Sequence, residues 1–366
     1  MSFNIVVTDS KPEELTFDIE NCSCSFTNAL RRIVLTDVNT IGFATEDYEN
    51  SSIRVIENTS SLHNEFLLHR FSLIPVYFHS VKDFDPSHYK FTLNKTNQTT
   101  AIIDVTTNDF TVFNTITGKD EKTSEFFPVN SITGDGILIV RLKPSPNGDG
   151  EQIHLEGSAV VQNGSFNAGF SPVSAIMFTN KIDQKKLDIA VANAEKDPNV
   201  TDIKQFQIAN AERYYMTDDN NEANVFTFTI ESVGVISPKN ILIDACNILI
   251  NKLTNFKDEL QKALNEEKTE KITVVDSPTV MNAKDIIIEN ESHTLGYILQ
   301  DYIVKTTPSE QLLFAAYKNP HPLEKKIVLR VAFNNGNNYQ DELNRVCDHL
   351  INMCQSVISK IMTEVE

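Results

Sequence analysis

The 366-residue chain has only five cysteines, Cys22, Cys24, Cys246, Cys347 and Cys354. The number is odd and no two form a Cys-x-x-Cys pair, so neither a disulfide framework nor a zinc ribbon is indicated, and reduced, mostly buried thiols are expected. Positive charge is also scarce: 32 Lys and Arg stand against 50 Asp and Glu, a net charge of −18. A chain that grips nucleic acid alone usually carries a basic stripe to neutralise phosphates. No direct base-specific nucleic-acid contact is therefore expected, and the acidic surface suits either basic partners or plain solubility. No apolar run is long enough to span a bilayer, so no membrane association is expected. The amino end, Met1 to Glu14, lacks the basic and apolar regions of a signal peptide, which predicts an intracellular protein whose Asn50 and Asn163 sequons are not glycosylation signals. Nucleotidyl transfer and similar chemistry need a carboxylate cluster for metal ions. The sequence has no Asp-x-Asp-x-Asp run, no P-loop, and no Cys/His or Ser/His/Asp pairing, so no catalytic residue, metal or cofactor is predicted.

What is present is an ordinary globular composition, 40% hydrophobic and 22% charged, long enough for two or three folding units. Strands are predicted at Asn4 to Val7 and Glu14 to Ile19. Ser25 then reads as the cap of a short amphipathic helix with Phe26, Ala29, Leu30, Ile33, Val34 and Leu35 at its apolar positions and Arg31 and Arg32 outward. A strand at Ser52 to Glu57 and a helix at Leu62 to Phe71 follow. From Tyr77 to Val161 the pattern alternates with period two between Asn/Asp/Gly turns such as Asn147-Gly-Asp-Gly150, a β-rich insertion. Residues 183–224 read as a long polar connection.

Ser237-Pro238 then opens a helix of about seven turns. Its apolar face carries Ile241, Leu242, Ala245, Ile248, Leu249, Leu253, Phe256, Leu260 and Leu264. After a charged linker the pattern repeats. A strand at Asp285 to Ile288 leads to a helix with Leu295, Ile298, Leu299, Tyr302 and Ile303 inward, whose cap falls to His293 or Thr294. Strands at Gln311 to Tyr317 and Lys326 to Ala332 precede a terminal helix with Leu343, Val346, Cys347, Leu350, Ile351, Cys354, Val357, Ile358 and Ile361 on one face. The predicted fold class is α+β: two similar dimerisation domains forming an intramolecular pseudo-dimer with packed long helices, plus an inserted β-rich domain. Two unrelated α+β domains are the alternative.

Six blocks carry a resemblance. Cys24-Ser-Phe-Thr-Asn-Ala-Leu-Arg-Arg-Ile-Val-Leu35 resembles the opening helix of the bacterial alpha, archaeal D and eukaryotic third-largest RNA polymerase subunits. Glu57-Asn-Thr-Ser-Ser-Leu-His-Asn-Glu-Phe-Leu-Leu-His-Arg-Phe-Ser-Leu-Ile-Pro75 is similar to the signature that follows it there. Ala159 to Gly164 with Phe170 to Phe178, and Phe226 to Gly234, resemble the end of the inserted domain and the strand before the long dimerisation helix. Glu291-Ser-His-Thr-Leu-Gly296 and Leu313-Phe-Ala-Ala-Tyr-Lys-Asn-Pro-His-Pro-Leu323 are instead similar to the archaeal L and eukaryotic eleventh subunits, which partner the D-type subunit.

The resemblance implies a fused assembly-platform subunit of a DNA-directed RNA polymerase. Its D-type domain would comprise residues 1–42 and 180–264, the inserted domain 43–179, the linker 265–284, and the L-type domain 285–366. Such fusion resembles that of large cytoplasmic DNA viruses, which implies the virion and host cytoplasm in preference to the host nucleus. The implied partners are the largest and second-largest polymerase subunits, where catalysis would reside, and other small subunits, with no homodimer needed. Docking would fall to Asn28, Arg31, Arg32, Glu65, His69 and Arg70, although a solvated helix face is the plain reading of the arginines. Internal dimerisation would rest on Ile241, Ala245, Ile248, Leu249, Leu253, Leu295, Ile298, Leu343, Val346, Leu350, Ile351 and Val357. Relatives often carry a metal centre in the inserted domain, but no cysteine lies between Cys24 and Cys246. Asn167-Ala-Gly-Phe170 also departs from the eukaryotic His-Ala-Lys-Trp, which puts that partner contact in doubt. A stand-alone regulatory or host-interaction module reusing the fold is the second reading, and an enzyme built on the β domain a third.

Overall fold

A computed structural model describes residues 3–47, 49–130, 132–146, 148, 150–265, 269, 271–334 and 339–364. The chain opens with β1 (Asn4–Ser10), β2 (Glu14–Glu20) and α1 (Cys24–Thr36). There follow β3 (Asn39–Gly42), β4 (Ile53–Asn58), α2 (Asn64–Ser72), β5 (Tyr89–Thr96), β6 (Ile103–Thr106), β7 (Phe110–Asn114), β8 (Lys119–Glu121), α3 (Thr123–Phe126), β9 (Leu138–Leu142), β10 (Gln152–Gly157) and β11 (Val160–Asn163). Next come β12 (Val173–Asn180), α4 (Gln184–Ala194), α5 (Ile203–Asn210), β13 (Val225–Ser232) and α6 (Pro238–Leu264). The chain closes with β14 (Ile272–Asp276), β15 (Ala283–Glu289), α7 (His293–Thr306), β16 (Leu312–Lys318), β17 (Lys326–Phe333) and α8 (Tyr339–Glu364).

Two compact units result, one of residues 1–34, 175–231 and 238–366 and the other of 35–174 and 232–237. The first unit holds the same arrangement twice. Its sheets run β1-β2-β13-β12 and β14-β15-β17-β16, so each is a strand pair, a short helix, a second strand pair and a long helix in identical order. Alternation explains the strands: Leu15, Phe17 and Ile19 of β2 and Phe226, Phe228 and Ile230 of β13 turn to one face and are buried there. Both sheets also bury a carboxylate in their second strand. Asp18 accepts a hydrogen bond from Thr227 Oγ1 at 2.7 Å and pairs with Lys181, whereas Asp285 is held by both arms of Arg330 at 2.6 and 2.7 Å.

The second unit is built on the sheet β4-β10-β5-β7-β8, with the smaller pairs β3-β11 and β6-β9. Its centre is phenylalanine-rich: Phe43 lies edge-on to Phe91 at 5.5 Å and to Phe71 at 6.2 Å, while Phe110 stacks on Phe127 at 5.1 Å. Such pairs add to the stabilisation from area burial alone.

Several expectations need correction. The insertion, placed at 43–179 by sequence, forms a compact unit over 35–174, because β3 pairs with β11 and so belongs to it. The alternating stretch read as ending at Val161 ends in two separate strands, β10 and β11, the second of which runs on to Asn163. Residues 183–224 are not an unstructured connection; they contain α4 and α5. Asp183 caps the first by accepting from Lys185 N and Lys186 N at 3.1 and 3.2 Å, and Asp202 caps the second by accepting from Gln205 N at 3.0 Å. Only Leu187 and Ala194 of these helices are buried, too few to print a stripe. The expected linker, 265–284, includes β14, an edge strand antiparallel to β15. Residues 266–268 and 270 of that linker, and Asn147 and Asp149 of the Asn-Gly-Asp-Gly turn, lie outside the described residues. The caps also move. Ser23, not Ser25, accepts from the α1 backbone at Ser25 N, and Ser292 rather than His293 or Thr294 caps α7 through Thr294 N.

Candidate functional site

The long helices α6 and α8 pack on each other within the first unit. Ile241, Ala245, Leu249 and Leu253 of α6 and Leu343, Val346, Leu350 and Val357 of α8 are all buried, as are Leu295 and Ile298 of α7; Ile248 and Ile351 are half-buried. At about 1.5–3 kcal/mol per fully buried aliphatic side chain, this seam outweighs any polar contact near it. Cys246 and Met353 are buried as well, though the sequence reading left both off the apolar faces. Cys246 follows Leu242 by four residues, so helical spacing contained the signal. Its thiol meets that of Cys354 on α8, and this contact together with burial holds the Cys246 pKa well above its usual value. Burial, with a smaller contribution from the Asp348 carboxylate and against the opposing charge of Lys257, pushes Cys347 up to about 12.

Polar contacts tie the two repeats at the seam's margins. Lys257 of α6 pairs with Asp348 of α8, and Lys252 reaches Glu291, just before α7, at 3.3 Å. The short helices meet too. Ser25 Oγ donates to Asp301 Oδ2 of α7 at 2.5 Å, and Ser23 Oγ donates to the same oxygen. Lys305, one turn on, sits 3.3 Å from Asp301 and 3.0 Å from Glu222. Ser23 N lies 3.5 Å from the hydroxyl of Tyr302, whose burial raises its pKa. At the other end Arg32 Nε donates to Thr294 Oγ1 at 2.8 Å, beside a cleft of about 90 Å³ lined by Asn28, His293, Tyr297 and Tyr317. Gly296 permits this approach of β16 to α7: a Cβ there would stand 2.4 Å from Tyr317 Cδ2.

The six docking candidates fall in two places. Asn28, Arg31 and Arg32 are half-buried on α1, with Arg31 donating to Asn28 Oδ1 at 3.0 and 3.2 Å. Glu65, His69 and Arg70 are exposed on α2 in the second unit. Arg70 donates to the carbonyls of Ile139 and Leu138 at 2.8 and 2.6 Å, fastening α2 to β9. Beside them Phe66 and Leu73 are 68% and 57% exposed, apolar groups that the sequence reading passed over.

The family of the RNA polymerase Rpb3/Rpb11 dimerisation domain matches this sequence twice, over residues 16–253 and again over 283–360. The chain belongs to that Rpb3/Rpb11 family. Among curated relatives, it is 26% identical over 279 residues to DNA-directed RNA polymerase subunit Rpo3 of Methanosphaera stadtmanae, covering 69% of this chain and 97% of that one. It is 25% identical over 313 residues to a conjugation stage-specific protein of Tetrahymena thermophila, covering 72% and 96%. A probable DNA-directed RNA polymerase II subunit RPB11 of Caenorhabditis briggsae matches 81 residues at 41% identity, 22% of this chain and 64% of that one. Family membership thus extends to both repeats of the first unit, and the second match begins at the first residue of β15.

Proposed function

We propose that this chain is the assembly platform of a multisubunit DNA-directed RNA polymerase, a fused pair in which the amino repeat plays the D-type and the carboxyl repeat the L-type part. The two repeats form an intramolecular pseudo-dimer, with α6 and α8 as its seam. The observation that carries this reading is the double match to one dimerisation family by two repeats of identical strand order whose long helices pack together. Fusion makes the pairing intramolecular, at an effective concentration on the order of mM for a short flexible link. Obligatory one-to-one pairing follows. Catalysis then belongs to the largest and second-largest subunits, and this chain holds them together in an intracellular particle.

Docking falls to the α1 face around Arg31 and Arg32 and to the α2 face around Arg70, where arginines can make charge-assisted hydrogen bonds. Phe66 and Leu73 supply apolar anchors on the latter. The experiment is affinity purification of the tagged chain from its source. Recovery of the two largest polymerase subunits is expected, and Arg31→Glu, which leaves the Arg32–Thr294 contact in place, should release the second-largest. Recovery of no polymerase subunit would sink the platform reading in favour of a stand-alone module. Equal recovery by that variant would remove only the α1 docking face.

A further inference from the structure

The contacts between α1 and α7 repeat. Ser25 is the second residue of α1 and Thr294 the second of α7; Arg32 and Asp301 are the ninth of each. Ser25 meets Asp301, and Thr294 meets Arg32. One interaction is therefore drawn twice, the hydroxyl at the start of one helix against the charged group seven residues along the other, as an antiparallel pair related by a two-fold axis would require. The hydroxyl suits either sign because it donates to the carboxylate and accepts from the guanidinium. The charges themselves have opposite signs.

From this we infer that Arg32 and Asp301 are the specificity-determining residues of the pairing and make the amino repeat choose the carboxyl repeat over a second copy of itself. Seven helical residues separate the ends of the contact by about 10 Å, roughly one Debye length, and both charged groups are partly buried, where screening is weaker. In the mixed pair the two ends carry one cation and one anion. A pair of amino repeats would set two arginines at that spacing with no aspartate to meet either, whereas in a pair of carboxyl repeats each aspartate keeps its own Lys305, so the discrimination falls on the amino pair. Hydrogen bonds could form in all three pairings, so the sign of the charges is what discriminates between them.

This inference rests on the internal pseudo-dimer, and its test separates the two. A protease site placed between Asn265 and Thr269 of the full chain allows cleavage after folding, and native mass spectrometry then reads the composition of what remains associated. In the cleaved chain with no other change the pieces should stay together as mixed pairs only. If they part on dilution, the pseudo-dimer itself is wrong. Given association, Asp301→Asn and the double change Ser23→Ala with Ser25→Ala should each weaken it roughly tenfold or more. Combining them should cost no more than the worse of the two. Fully additive losses would mean that the groups do not act on each other, and the clasp would be abandoned. Arg32→Glu gives both ends one sign and should let like pieces pair. Arg32→Glu with Asp301→Arg restores opposite signs and should restore mixed pairing, while Glu222 still holds Lys305. A merely structural role for either side chain would not be rescued by exchange, so failure of the rescue, or strict mixed pairing in Arg32→Glu, overturns the inference.

Discussion

The two repeats of the first unit share a strand order and differ in what they do with it. Between its short helix and third strand the carboxyl repeat spends a handful of residues, from Thr306 to Leu312; the amino repeat places the whole second unit at the same point. The corresponding side chains diverge as well. Thr27 stands fourth in α1, fully buried and bonded back to Ser23 O at 3.4 Å, where Gly296 stands fourth in α7 under the ring of Tyr317. The buried aspartates of the second strands stand two positions apart, Asp18 opposite Thr227, the third residue of β13, and Asp285 opposite Arg330, the fifth of β17. Topology is thus common property, while each repeat solves its polar and steric details alone.

The comparison breaks most severely where the repeats share a core. Leu350→Ala removes a fully buried side chain from the seam and should cost about 2–5 kcal/mol, seen as one lowered unfolding transition of both repeats in urea. A transition lost from the carboxyl repeat alone would show that the seam does not couple them. Next in size is Gly296→Thr, which writes the amino repeat's residue into the carboxyl one. The new Cβ meets Tyr317 at 2.4 Å, and overpacking of this kind costs about 1–3 kcal/mol. An unchanged melting temperature would mean that the ring moves aside freely.

Smaller still is loss of a cap. Ser292→Ala removes the acceptor for Thr294 N and should cost about 1 kcal/mol by thermal melting. Ser23→Ala should cost more, because Ser23 also donates to Asp301. Equal losses would place no weight on that second bond.

Much of this architecture was legible. The stripes of α6 and α8 were readable because an aliphatic face at helical period is imposed by the packing it makes. What escaped reading has physical reasons. Helices α4 and α5 bury two residues between them, so periodicity had nothing to report. The strand β14 is an edge with Ile272 its one buried residue and lies beside a charged segment that reads as solvated. The clasp of Ser23 and Ser25 on Asp301 joins residues far apart in sequence, and no local pattern can reveal such a contact. The serines at 23, 25 and 292 are all plausible caps by composition, and only the backbone path decides which hydroxyl faces a free N–H. The exposure of Phe66 was not legible, because a nine-residue helix prints too little period to tell an outward apolar side chain from an inward one.

The mildest perturbation is acid, and it should be read at the buried Asp285 of the carboxyl repeat. Arg330 beside Asp285 lowers the pKa of that carboxyl in the folded protein, against the opposing effect of burial. A depressed folded pKa contributes stability that is fully present above the unfolded value, about 3.9, and is lost as pH falls through the lower folded one. The native chain should therefore lose stability on acidification below about pH 4, and Asp285→Asn, which cannot titrate, should be less stable at neutral pH yet show a flatter slope across that window. Chemical denaturation at a series of pH values measures both, and a slope in Asp285→Asn as steep as in the unmodified chain would mean that the Arg330 pair has no share in acid stability.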